Sequence, residues 1–200
     1  MKLTEHLERL ARNNLLKTLT LSVALAALCG TTSSSRCSQG YYESNRAVTP
    51  AAVQSAIPSN AALLEFATYE PFDPKVQAEG EDYDPPHYVV YVITNQGDVR
   101  WKDLGLAKEI DAAVDAIRQA LRDPHRSDEI QLPRALAEKV LQPVRPLLAG
   151  AKHLLISPDG KLNLVPFEAL LDEKNLYAVE SYSISYLSTG RDLLRMQVPR

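Results

Sequence analysis

Apolar positions along this chain change period repeatedly, and each change marks an element. Residues 61–69 (AALLEFATY) are a strand candidate, and 87–94 (HYVVYVIT), β-branched or aromatic almost throughout, predict a strand more strongly. Residues 70–86 between them are rich in proline and acid. That composition excludes a central strand and predicts a long exposed hairpin connection. Asn95-Gln96-Gly97-Asp98 turns the chain into a third strand over 99–104, completing an antiparallel meander. From 106 to 122 the period becomes helical: Ile110, Ala113, Val114, Ile117 and Leu121 form one face, with Lys108, Glu109, Asp111, Asp115 and Arg118 opposite.

A second helix is predicted over 132–148, with Pro133 in its first turn and Gly150 just past its end. Pro143 and Pro146 remove backbone donors and should kink it or split off its last turn. Residues 153–157 (HLLIS) read as a strand buried on both faces. Pro158-Asp159-Gly160 forms a turn, Val165-Pro166-Phe167 opens a short helix ending near Leu171, and residues 177–187 supply one more strand. Thr189 and Asp192 have capping-box spacing for a helix starting near Gly190. Upstream, Pro50 starts a short helix whose apolar face is Val53, Ala56 and Ile57, ended by Pro58-Ser59-Asn60.

Residues 1–47 are expected to be a leader and linker, and 48–200 the folded part. Residues 19–29 (LTLSVALAALC) have the length of a signal-peptide apolar region, too short to span a bilayer. The preceding basic segment, however, contains Glu5 and Glu8 and a helical pattern of its own (Leu3, Leu7, Leu10, Leu15). Leu28 is also bulky for a lipoprotein cleavage site before Cys29. An amphipathic helix and a cytoplasmic location are the preferred reading; export through residues 1–29, the only membrane contact considered, is the alternative.

The chain has 200 residues, 45% apolar and 24% charged, with a formal net charge of -3. This is the balance of a soluble globular domain, without the basic patch that nucleic acid requires. The two cysteines, Cys29 and Cys37, lie in the leader with no second pair, so structural zinc is not expected.

The segments SPDGKLNLVPFEALL and YLSTGRDLL, preceded by YVVYVI, WKDLG, IDAAVDAIRQALRD and LQPVRPLL, resemble the first half of a CHAT domain. CHAT domains are bacterial caspase-like cysteine peptidase modules, often following tetratricopeptide repeats. The resemblance covers roughly residues 48 to 197. It implies an α/β fold, an incomplete caspase-like sandwich in which the antiparallel meander precedes helices and buried strands. It also implies chemistry by a His-Cys dyad, the His in a His-Gly pair and the Cys in a Ser-Ala-Cys-Glu-type segment. Both lie downstream of the STGRDLL helix in the family, and neither motif occurs in this sequence.

No residue is therefore assigned a catalytic, cofactor-binding or metal-binding role. None of His6, His87, His125 and His153 is followed by glycine, and no cysteine follows Cys37. Ser157 lacks the Gly-x-Ser-x-Gly context of a nucleophile elbow. Phe167 with Pro166 is expected to plug the core beside a solvent-facing Glu168, and Arg191 with Asp192 to start a helix. The resulting expectation is a truncated CHAT protein, inactive alone. The alternative is a non-catalytic interaction module, completed by a protein partner or by self-association through an unfinished sheet.

Overall fold

The computed structural model describes residues 48–72, 84–122 and 130–197. The leader lies outside them, as do His6, His125, Cys29, Cys37 and residues 73–83 of the hairpin connection. Pro50–Arg200 forms one compact unit.

Three strands form the expected meander: β1 (Ala61–Tyr69), β2 (His87–Thr94) and β3 (Arg100–Leu106). Neighbours in it are antiparallel, and β2–β3 carries a bulge near Tyr88 and Val89. The Asp84 N–H donates to the Pro71 carbonyl at 2.8 Å, tying together the two ends of the β1–β2 connection. Two further strands, β4 (His153–Ser157) and β5 (Ser183–Tyr186), run parallel to β1 on its other side. The sheet order is β3-β2-β1-β4-β5. The fold is thus mixed α/β, built on an open five-stranded sheet.

The two faces of the sheet are covered unequally. On one, α2 (Ala107–Ala120) and α3 (Gln131–Val140) lay Ile110, Val114, Ile117, Leu136 and Val140 against Leu64, Val90, Leu154 and Ile156. Neither helix has a side-chain N-cap. Burial holds them instead, at about 1.5–3 kcal/mol for each large aliphatic side chain. On the other face, α1 (Pro50–Ala56) contributes Val53, with Ile57 just beyond it, and α5 (Asp192–Met196) contributes Leu193.

The prolines act as expected. The helix ends at Val140, and a separate 3-10 segment, Gln142–Leu147, carries Pro143 and Pro146. Ala149 and Gly150, at φ 51 and 81, then turn the chain into β4.

Two expectations need correction. The short helix expected at 165–171 is instead a pair of 3-10 segments, Gly160–Leu164 and Phe167–Ala169. Pro166 separates them because it drives Val165 into an extended conformation, φ -108 and ψ 126. The strand expected over 177–187 is only β5; its first part is a helical turn, α4 (Ala178–Ser181). Glu180 decides this by reaching back to accept the Tyr177 N–H at 2.8 Å, the reciprocal half of a capping box. Among the described residues, no helix is long and apolar enough to cross a membrane.

Candidate functional site

In open sheets with parallel strands, functional groups gather at the carboxyl ends of those strands. Here that end carries Glu65 of β1, Ser157 of β4, and residues 188–192 after β5. Ser157 is buried, and its hydroxyl donates to the Ser188 carbonyl at 3.1 Å, joining the ends of β4 and β5. The Asp192 carboxylate accepts the N–H groups of Ser188 (3.0 Å) and Thr189 (3.2 Å), while Thr189 Oγ1 accepts the Arg191 N–H at 2.9 Å. The expected cap is present, one residue tighter on the threonine side than an ideal box.

Gly190 presses on the sheet. A Cβ there would stand 2.8 Å from a Leu63 methyl, 3.2 Å from Glu65 Oε2 and 3.4 Å from a Val53 methyl. This close approach explains the small residue in STGRD. Burial pushes the Glu65 carboxyl above its usual range, and the Gly190 N–H offsets part of that rise.

The turn after β4 is held by long-range bonds in addition to its own backbone bond from the Leu162 N–H to the Asp159 carbonyl at 3.1 Å. Asp159 Oδ2 accepts both the backbone N–H (2.9 Å) and the hydroxyl (3.1 Å) of Thr68, near the end of β1. Gly160 sits at φ +54, and a Cβ on it would collide with the Tyr88 hydroxyl. That hydroxyl donates to Asp111 Oδ1 at 3.0 Å and accepts the Lys161 N–H at 3.1 Å. Burial first, and Asp111 second, push the phenol up to about 12. One tyrosine thus joins β2, α2 and the turn.

Phe167 is fully buried, 5.5 Å from the Phe66 ring centroid and 6.3 Å from that of Tyr186. The Tyr186 hydroxyl accepts the Phe167 N–H and donates to Glu168 Oε2, each at 2.7 Å. Glu168 is therefore a partner of β5 as well as a neighbour of the plug. Burial and then Glu168 raise the Tyr186 phenol above its ordinary value.

Two histidines have partners that the sequence did not indicate. His87 Nδ1 lies 3.0 Å from Asp103 Oδ2, which also accepts the Tyr69 hydroxyl at 3.0 Å; Asp103 Oδ1 accepts the Gly105 N–H at 2.8 Å. Burial alone would raise the Asp103 carboxyl, but these hydrogen bonds outweigh it and hold the group below its usual range. His153 Nε2 lies 2.9 Å from Ser185 Oγ across β4 and β5. No carboxylate orients that ring among the described contacts, so the pair lacks the third member that would fix the tautomer. Asp172 is a further buried acid: Oδ1 accepts the N–H groups of Lys174 (2.8 Å) and Leu176 (2.9 Å), and Arg145 bonds Oδ2 at 3.2 Å. Those two amides, Leu176 first, hold its carboxyl below the usual range despite burial. Among the described residues, no group of three or more His, Cys, Asp or Glu is placed to hold a metal ion.

These polar side chains bind backbone and one another, and they fasten successive elements of the sheet. The same elements carry the comparison with known proteins. Residues 131–200 match the CHAT domain. This CHAT segment begins at α3 and includes β4, the turn at Gly160, the Phe167 plug, β5 and the cap of α5; β1–β3 and α2 precede it. No curated protein matches the chain.

Proposed function

We propose that Pro50–Arg200 is the non-catalytic, sheet-building part of a caspase-like cysteine peptidase module, and that the 200-residue chain has no peptidase activity by itself. The observation that carries this reading is the CHAT match over the β4–turn–Phe167–β5–α5 run. Its motif residues are engaged in fastening the fold: Ser157 to the Ser188 carbonyl, Asp159 to Thr68, and Asp192 to Ser188 and Thr189. The sequence also contains neither a His-Gly pair nor a cysteine after Cys37. A thiolate nucleophile needs a base within hydrogen-bond reach. The dyad of such a module is accordingly supplied by residues outside this sequence.

The test is cleavage of a peptide library by the purified chain, alone and co-expressed with a chain carrying His-Gly and Ser-Ala-Cys-Glu-type segments. Activity only in the co-expressed sample is expected. Thiol-dependent cleavage by the chain alone, abolished by Cys29→Ala or Cys37→Ala, would overturn the reading. Glu5 and Glu8 in the leading basic segment, with Leu28 before Cys29, support a cytoplasmic location. N-terminal sequencing of the mature chain tests it, since export would remove those residues.

A second reading, an interaction module without any peptidase partner, is favoured by one observation. Among the described residues β5 pairs on one side only. Copurification at fixed stoichiometry with a protein lacking peptidase sequence would support it.

A further inference from the structure

We infer that residues 188–196 form a pH-sensitive flap: the protonated Glu65 carboxyl keeps it seated on the sheet, and ionised Glu65 loosens it, baring the carboxyl ends of β1 and β4. The ladder holds the chain as far as Leu187, whose N–H donates to the Ile156 carbonyl at 2.9 Å. From Ser188 onward the segment is fastened largely to itself. Asp192 accepts the Ser188 and Thr189 N–H groups, Thr189 Oγ1 accepts the Arg191 N–H, and α5 is a single short helix of five residues. It is seated by the Ser157 hydroxyl on the Ser188 carbonyl, by Gly190 against Leu63, Glu65 and Val53, and by Leu193, the buried apolar side chain of α5. Ser188, Thr189 and Met196 are exposed. A self-capped unit with so little buried apolar surface belongs to the low end of local stability, and it can lift as one piece.

Glu65 lies beneath that seat, with Oε2 3.2 Å from where a Cβ on Gly190 would stand. Tyr91 of β2 and Ser157 of β4 stand opposite Glu65 in the ladder. Ser157 is committed to Ser188, and the Tyr91 phenol, raised by burial and then by Glu65, stays neutral wherever Glu65 titrates. α1, which brings Val53, contains no ionisable side chain. The flap itself carries Arg191, Asp192 and Arg195, the last two paired at 3.5 Å. None of these supplies a cation to Glu65: burial, opposed by the Gly190 N–H, governs its charge state. A carboxylate covered without a cation costs more in desolvation than one amide returns. Seated, the flap covers the carboxyl and favours its neutral form. Lifted, it leaves the carboxyl to water, where the ordinary value of about 4 applies. The seated form therefore holds more protons. It is favoured at low pH and loses that advantage as pH rises through the higher value of the seated state.

Asp192 sets the opposite trend, so the two carboxyls can be told apart. Protonating Asp192 removes the acceptor that caps the flap, and a flap governed by that cap loosens toward acid. A flap governed by Glu65 loosens toward neutral pH instead. Lifting uncovers Glu65 and Ser157 at the strand ends where functional groups gather in parallel sheets, so the flap controls access to that end of the molecule.

The experiment is amide hydrogen exchange on the full 200-residue chain, followed by NMR from about pH 4 to about pH 8. Protection of the Gly190 amide, corrected for the intrinsic exchange rate, is read against that of Val90 and Val92 in β2, so that global unfolding is separated from local opening. It is expected to fall at least roughly fivefold across that range, at the midpoint where the Glu65 carboxyl carbon shift titrates. The nuclear Overhauser contact between Gly190 and the Leu63 methyl should weaken in step. Glu65→Gln keeps an acceptor but no charge, and its Gly190 amide should stay protected throughout. Wild-type protection that is flat, that falls toward acid, or that falls away from the Glu65 midpoint overturns the proposal, as does a loss retained in Glu65→Gln. The carboxyl shift is measured on the wild type, so the test does not depend on the variant folding. No readout involves peptidase activity, and failure here is separate from failure of the CHAT reading.

Discussion

The antiparallel and parallel halves of this sheet are held together by different means. β1, β2 and β3 follow one another in sequence, and their ladder needs only hairpin connections and one polar cluster, Tyr69–His87–Asp103. β4 and β5 join β1 from far along the chain, with registers such as Leu63↔Leu155 and Leu154↔Ile184. Their attachment relies on single contacts reached by the connecting turns: the buried Phe167 under Phe66, Gly160 against Tyr88, and Asp159 on Thr68. Long-range pairing carries a larger loop-closure cost, so it requires stronger and more specific anchors. The CHAT match, at 131–200, begins with α3 and then takes in this anchored half.

The largest expected effect comes from removing the central anchor of the parallel half. Phe167→Ala should destabilise the fold by about 3–5 kcal/mol, because the residue is fully buried and its cavity cannot close. Chemical denaturation measures this directly. A loss below about 1 kcal/mol would mean that the parallel half does not hang on this ring.

Gly160→Ala should cost less, about 1–3 kcal/mol, from the positive φ together with the collision with Tyr88. The two causes separate in a double-mutant cycle. Tyr88→Phe alone loses the bonds to Asp111 and Lys161, about 1 kcal/mol. If the hydroxyl is what Gly160 accommodates, the double variant is more stable than the sum of the singles predicts. Strict additivity would assign the whole Gly160 effect to backbone conformation.

The unequal halves also explain what the sequence disclosed. A β-branched and aromatic run made β2 legible and a short continuous apolar run made β4 legible, while Pro143 and Pro146 placed the break after α3, because these signals are local. The turn at Pro158-Asp159-Gly160 was legible as a turn, but not the reason for its residues. Asp159 and Gly160 answer to Thr68 and Tyr88, which no spacing rule connects to them. α4 was hidden because Tyr177, Val179 and Tyr182 read as strand, while the deciding signal, Glu180 at the third helical position, is a single residue. The Tyr69–His87–Asp103 cluster stayed invisible for a similar reason. It joins three strands, and a tyrosine or histidine at a strand end looks the same with or without a partner.

The smallest expected effects are electrostatic, and they have opposite signs at Asp103 and at Glu65. Asp103 in the meander is held below the usual carboxylate range, so the unfolded chain binds more protons there than the folded one. Its stabilisation is fully present above the unfolded carboxylate value, near about 4, and is lost as pH falls through the lower folded value. Glu65, beside Gly190 at the parallel strand ends, is raised by burial, so the folded chain binds more protons. Its contribution is fully present below the unfolded value and is lost as pH rises through the raised folded value. Asp103→Asn should therefore flatten the acid limb of the stability profile while lowering stability at neutral pH. That lowering should not exceed about 1 kcal/mol, because the carboxylate is 37% exposed. Glu65→Gln retains an acceptor for the Gly190 N–H, removes the buried charge, and should raise stability at neutral pH with no change at low pH. Urea titrations across mildly acidic to neutral pH on the two variants check the pair together. If both substitutions shift stability in the same direction at neutral pH, solvent reaches the two carboxylates alike, and the electrostatic contrast between Asp103 and Glu65 fails even where the packing contrast between the halves stands.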